Sequence, residues 1–248
     1  MPNIITFYDI PGKASTNVAW SPNTWRTRYV LHIKGLAYRT VWLEYPDIKQ
    51  AMKELGAQPT GTRDGAPLYT LPVIHDPTTG AVVAESLQIC KYLDEQYPDT
   101  PRLLPTPSRA LQVAFLNTYV GECLMGPTLS LVVGHSARQL NPRSEEYFRW
   151  MMTKVLGKPE EEVARTAEDR EALLKKLINA MEQLGGWKGE YPFLGGDVVS
   201  YADVLVAAPL KWFALVGDES EWDRVQKAIA EKWGSFLKAF SEWEVIPM

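Results

Sequence analysis

The run Leu71-Pro72-Val73-Ile74, followed thirteen residues after the proline by Glu85-Ser86, constrains this chain more than any other segment. Proline has no amide hydrogen and biases the residue before it toward an extended conformation. A proline heading a short β-rich run therefore marks a strand start rather than a central strand. If the Leu71–Pro72 peptide is cis, the bend leaves the N–H and C=O of Leu71 for a neighbour, and an extended peptide ligand could pair there as an added strand. Asp76-Pro77-Thr78-Thr79-Gly80 then has the chemistry of a hairpin turn, and a second apolar run follows at 81–84. Glu85-Ser86 falls where that strand gives way to a helix with apolar residues at Leu87, Cys90 and Leu93. Ser86 is expected as the N-cap. Free amides there would attract a carboxylate and Glu85 would receive an ammonium group, which together suit the free α-amino-acid end of a peptide. A plain helix cap at Ser86 and a plain loop end at Pro72 are the alternative, and on spacing alone they are the commoner meaning.

With 248 residues the chain can build two modest domains with real cores. Its 46% hydrophobic and 23% charged residues are those of an ordinary globular protein. A net charge of −4, without Lys/Arg runs and interleaved aromatics, argues against nucleic acid or anionic lipid as partner. No stretch approaches the roughly 20 apolar residues that span a bilayer, and the first residues lack the pattern of a secretion signal, so a cytoplasmic location is expected. The two cysteines, Cys90 and Cys123, sit in apolar helical patterns and are expected to pack rather than bridge or react. His32, His75 and His135 have no metal-ligand spacing, so no metal is expected. Nine tryptophans and eleven tyrosines supply core area, with some surplus for an aromatic ligand.

Strand and helix signals alternate over the first hundred residues: strands at 4–8 and 38–43, helices at 22–34 and 46–55, the hairpin after Pro72, and a helix over 86–96. The order βαβαββα implies a small mixed sheet covered by helices, a domain over 1–98. Residues 56–70, rich in Gly, Pro and Thr, are expected as a long loop. Prolines 98, 101, 105 and 107 punctuate a linker at 99–107, and an all-helical domain follows over 108–248. Its helices are expected at 108–125, 144–156, 159–184, 200–216, 219–233 and 235–243, with a break or kink at Gly126-Pro127 and a kink at Pro209. The charged run 160–176 reads as a solvated helix face.

Leu71-Pro72-Val73, Glu85-Ser86, and Phe193-Leu194-Gly195-Gly196-Asp197 leading to Ser200-Tyr201-Ala202-Asp203 together make the whole chain resemble the cytosolic glutathione transferases, a thioredoxin-like domain followed by an all-helical one. Ser200 and Asp203 have the spacing of an acidic capping box, with Val199 and Val204 as a hydrophobic staple. Ser21-Pro22 would be read in any chain as N-cap and N1 of a helix. In the family this helix start faces the glutathione sulfur, which makes Ser21 the first catalytic candidate and Asn23 the second. Ser15, Thr16 and Asn17 are upstream alternatives as donor, and Tyr8 is similar to the tyrosine of other classes. Serine in place of the cysteine of the thiol-transferring classes disfavours deglutathionylation. The segment 21–29, with Phe7-Tyr8-Asp9 ahead of it, resembles the etherase-related branch, which includes the fungal FuA class and the bacterial β-etherases.

The resemblance implies glutathione as co-substrate, held by Leu71, Pro72, Glu85 and Ser86, and a homodimer. It implies a hydrophobic pocket between the domains, with Tyr119, Met125, Phe148, Trp212 and Phe213 as candidate lining. A thiol of pKa near 8.5 is only about 3% ionised at pH 7, and lowering it by about two units is worth roughly 2.7 kcal/mol. A helix dipole supplies about 0.3–1 kcal/mol, so a hydroxyl and nearby N–H donors must supply the rest. The expected reaction is thiolate attack on an aromatic electrophile, including lignin-derived aryl ethers or wood-derived phenolics, with etherase or peroxidase side activity. The alternatives are a ligandin-type protein that binds aromatics with little turnover and a regulatory module of the same fold.

Overall fold

In the computed structural model, residues 4–13 and 19–247 are described. They group into two units, Met1–Leu103 with Leu140–Tyr147 and Val245–Met248, and Leu104–Gln139 with Phe148–Glu244.

In the first unit β1 (Ile5–Asp9) pairs in parallel with β2 (Tyr38–Trp42), Ile5 opposite Tyr38 and Asp9 opposite Trp42. α1 (Pro22–Ile33) makes the crossover between them. β5 (Val73–Asp76) runs antiparallel to β1 and to β6 (Ala81–Ala84), giving the sheet order β2-β1-β5-β6. The hairpin turn at 77–80 closes through a bond from the Gly80 N–H to the Asp76 carbonyl. α2 (Tyr45–Leu55) follows β2, and α3 (Ser86–Gln96) follows β6 and packs on α1. Phe7, Val30, Leu31, Val73, Ile74, Ile89 and Leu93 are buried together in this unit.

Residues 56–70 are not a featureless loop. They carry a separate hairpin of β3 (Gly61–Arg63) and β4 (Ala66–Leu68). Its turn residues Asp64 (φ 50°) and Gly65 (φ 75°) both take positive φ, as a two-residue type I′ connection requires.

The second unit is helical: α4 (Arg109–Phe115), a π-helical segment (Leu116–Met125), α5 (Gly126–Arg138), the later part of α6 (Pro142–Leu156), α7 (Ala167–Lys188), α8 (Tyr201–Val216) and α9 (Glu219–Ser241). Three helical expectations need correction. Gly126-Pro127 does not end a helix, because the wider π turn sends the Gly126 N–H to the Gly121 carbonyl and the chain runs on into α5. The charged run is not one helix with 177–184: a 3₁₀ turn at Glu160–Glu162 precedes α7, which starts from a Thr166/Asp169 capping box. Gly234 does not divide α9, since Val225, Ile229, Trp233, Phe236 and Phe240 continue one buried stripe through it. α8 runs as one helix through Pro209.

The loop before α8 is built as its composition suggests. Phe193 and Gly196 exchange backbone hydrogen bonds at 3.1 Å. A Cβ on Gly195 would lie 2.9 Å from the Val198 carbonyl oxygen, and Gly196 takes φ 96°. The buried Asp203 carboxylate accepts from the Leu194 N–H (2.7 Å), the Ser200 N–H (2.8 Å) and the Ser200 hydroxyl (2.8 Å), tying this loop to the start of α8.

Candidate functional site

Three predicted segments converge on one edge of the four-stranded sheet. Tyr8 lies opposite Val73 and Val73 opposite Ala84, so the end of β1, the start of β5 and the end of β6 are side by side. α1 begins at the same edge, because its C-terminal end leads back to β2, whose first residue pairs with the first of β1. The Leu71–Pro72 peptide is cis. The Pro72 carbonyl accepts a 3.2 Å hydrogen bond from the Glu85 N–H, which fixes the proline turn against the start of α3. Leu71 is buried, and no hydrogen bond among the described residues engages its backbone N–H or C=O.

At the start of α3 the cap differs from expectation. Glu85, not Ser86, is the N-cap: its carboxylate accepts from the Leu87 N–H (3.0 Å), the Gln88 N–H (3.2 Å) and the Ser86 hydroxyl (3.2 Å). Ser86 is the first helical residue and is buried. Glu85 sits at φ 78°, ψ 128°, a conformation that costs a non-glycine residue about 1–3 kcal/mol and clusters at functional sites. Its side chain, longer than a serine's, bridges back from that unusual backbone to the free amides, offsetting the strain.

At α1, Ser21 is the N-cap and Pro22 the N1 residue, as the sequence predicts. The Ser21 carbonyl accepts from the Trp25 N–H (3.0 Å) and the Thr24 hydroxyl (3.1 Å). Its own hydroxyl makes no capping hydrogen bond, so the usual work of an N-cap serine is not what it does here. Asn23 is exposed in the first turn. Tyr8 is half-buried, and burial, partly opposed by the Arg39 cation, raises its phenol pKa, which makes the phenolate less available. Ser15, Thr16 and Asn17 lie outside the described residues.

Sequence reasoning missed what stands behind this edge. Arg28 and Asp9 form a 2.7 Å ion pair with both side chains fully buried (0% exposed). The guanidinium also donates to the Tyr38 hydroxyl at 2.9 Å, and its Cζ lies 5.0–5.7 Å from the ring centres of Phe7, Trp25, Tyr38 and Trp42. Asp9 also accepts from the Ile10 N–H at 2.7 Å. The Trp25 indole N–H donates to the Ala19 carbonyl at 2.5 Å. The signal was present in the spacing: Ser21, Trp25, Arg28 and His32 recur at helical intervals of four, three and four, one face of α1.

The candidate pocket residues belong to the helical unit. Phe148, Trp212 and Phe213 are buried core residues, with the Trp212 indole N–H on the Ser136 hydroxyl (2.9 Å) and Phe213 against Trp222. Tyr119 and Met125 are half-buried on the π segment. Tyr119 donates to the Ala180 carbonyl and stacks with Phe115, and Trp187, 62% exposed, lies 5.1 Å from it. Among the described residues no group of three or more His, Cys, Asp or Glu could hold a metal ion, and no helix is long and apolar enough to cross a membrane.

Models of the glutathione S-transferase N-terminal and C-terminal domains match residues 20–96 and 110–243. A glutathione S-transferase-like protein, ustS, of Aspergillus flavus is 32% identical over 221 residues, 83% of this chain and 77% of its own length. A glutathione S-transferase of Ceriporiopsis subvermispora, solved in complex with glutathione, is 41% identical and superposes with a TM-score of 0.93 over 99% of each chain. The glutathione transferase GSTFuA3 of Phanerochaete chrysosporium is 40% identical with a TM-score of 0.91, again over 99% of each chain.

Proposed function

Because the chain belongs to the glutathione S-transferase family, we propose that it stabilises the glutathione thiolate at Ser21 and directs it at hydrophobic aromatic electrophiles. Glutathione is the co-substrate. Its cysteinyl backbone pairs with Leu71 beside Pro72, as an added strand, and its γ-glutamyl end meets Glu85 and Ser86. The Glu85 carboxylate faces the ammonium group, while the Ser86 N–H, the first-turn amide of α3 that Glu85 does not occupy, takes the carboxylate. The observation that carries the reading is the Ser21 hydroxyl: it stands at a helix start, on the same sheet edge as the other two segments, and is not engaged in capping.

Chemically, the Ser21 hydroxyl donates to the sulfur and holds it as thiolate, aided by the first-turn amides of α1, with Asn23 as a second donor. No covalent bond to the protein forms. Catalysis rests on ionising the nucleophile and holding it near the electrophile. Side chains of the helical unit, Tyr119 and Met125 among them, bind the aromatic group of the electrophile, for which lignin-derived aryl ethers and wood-derived phenolics are suitable chemistry. The protein acts in the cytoplasm as a homodimer.

Calorimetric titration with glutathione, alongside turnover of a model aryl electrophile, tests this. Binding lost in Glu85→Ala/Ser86→Ala and turnover lost in Ser21→Ala are the expected results; wild-type protein that does not bind glutathione would refute the reading. The Phe115, Tyr119 and Trp187 ladder, open to solvent at Trp187, favours a second reading in which flat aromatics are bound without turnover. Tight binding of phenolics with no Ser21-dependent rate would establish that one instead.

A further inference from the structure

We propose that Trp25 is a positioning residue for the thiol-activating serine: by holding the Ala19 carbonyl, its indole N–H sets the direction in which the Ser21 hydroxyl is presented. The inference rests on the reading of Ser21 given above.

An N-cap serine is normally oriented by its own side chain, which bonds to an amide of the first turn. Ser21 makes no such bond, so its orientation comes from the backbone on either side of it. On the helix side the Ser21 carbonyl is held by the Trp25 N–H and the Thr24 hydroxyl. On the other side the Ala19 carbonyl is held by the Trp25 indole at 2.5 Å. One residue thus brackets the Ala19–Trp20–Ser21 segment with its main chain and its side chain. Releasing the Ala19 carbonyl loosens the turn that leads past the buried Trp20 into Ser21, while the bonds on the helix side stay intact.

The bracket is firmly based. The Trp25 ring is buried, 5.1 Å from the Tyr29 ring and 5.6 Å from the Arg28 guanidinium carbon. Arg28 is fixed by Asp9, whose second oxygen holds the Ile10 N–H. The residues where the chain leaves β1 and where it enters α1 are therefore tied to the same buried cation. A Trp25 that served only as core would affect stability, but it would not affect sulfur ionisation through Ser21.

The test is the ionisation of enzyme-bound glutathione, followed by the ultraviolet absorbance of the thiolate against pH, in wild type, Ser21→Ala, Trp25→Phe and the double variant. S-methylglutathione, which has no ionisable thiol, reports on the rest of the site. Trp25→Phe is expected to raise the bound thiol pKa by about half a unit, roughly a threefold loss of thiolate below the pKa, with S-methylglutathione affinity unchanged. In the Ser21→Ala background the same substitution is expected to change nothing. If Ser21→Ala raises the pKa and Trp25→Phe does not, or if Trp25→Phe acts equally in both backgrounds, Trp25 does not work through Ser21 and the proposal is overturned while the Ser21 reading stands. If Ser21→Ala leaves the pKa unchanged, both are overturned. Should the phenylalanine variant fail to fold, 3-benzothienylalanine at position 25 keeps the bicyclic ring, lacks only the N–H, and faces the same criteria.

Discussion

Replacing Arg28 by Met removes the cation from a fully buried ion pair and leaves the Asp9 carboxylate with the Ile10 N–H as its remaining described hydrogen-bond donor. Breaking such a pair from one side costs about 3–5 kcal/mol, because an uncompensated charge stays buried. The lost Tyr38 hydrogen bond and the contacts with four aromatic rings fall in the same direction. For a chain of this size about 1 kcal/mol moves the melting temperature by roughly 2–4 °C, so Arg28→Met should lower it by roughly 6–20 °C. Asp9→Asn in addition removes the stranded charge and keeps an acceptor for Ile10, so the double variant should melt above Arg28→Met, with a coupling of about 2 kcal/mol in a double-mutant cycle. Thermal unfolding of the four proteins at fixed pH decides it. A loss below about 1 kcal/mol for Arg28→Met, or a double variant as unstable as the sum of the singles, would refute the argument that the buried charge sets the cost.

Asp203→Ala removes the acceptor of three hydrogen bonds at the start of α8 and should cost about 3 kcal/mol, read from urea unfolding, with little direct effect on glutathione affinity. Burial, opposed by a backbone hydrogen bond with Val245 and reinforced by the Arg28 cation, holds the His32 imidazole below its ordinary 6.5. The folded state thus favours neutral His32; its contribution is complete above pH 6.5 and is lost as pH falls through the lowered folded value, so His32→Gln should show a smaller drop in melting temperature on acidification. Burial pushes the Cys90 thiol well above its usual range, whereas Cys123 is only half-buried, so a thiol reagent should modify Cys123 in the native protein and Cys90 only on unfolding. Light scattering after gel filtration should give twice the chain mass, and a single-chain mass would refute the homodimer.

The parts of the fold legible in the sequence are those governed by nearest neighbours. Pro22 after Ser21, the turn at 77–80, and Asp203 three residues after Ser200 specify their structures with little help from elsewhere in the chain. Glu85 was misplaced because the choice between two adjacent caps depends on an unusual φ that no propensity encodes. Arg28 was missed for the opposite reason: its place on one face of α1 is legible in the spacing, but a guanidinium reads as solvated until the chain brings Asp9 and four rings around it. α5 and the unbroken α9 were missed because glycine and proline were given their average meaning, which the π turn and the continuous apolar stripe override.

The β5–β6 hairpin has a thermodynamic consequence. It closes a loop of only a dozen residues between Pro72 and Glu85, and the hydrogen bond between them exists once the sheet forms. The entropy of bringing the two proposed recognition segments together is therefore spent during folding and not at ligand capture. In the proposed site, affinity for the tripeptide is preorganised in the sheet, while nucleophilicity is set some fifty residues away at the mouth of α1. The two properties can diverge under selection, so a lineage could trade one thiol chemistry for another, or abandon turnover, without rebuilding the means of holding its ligand.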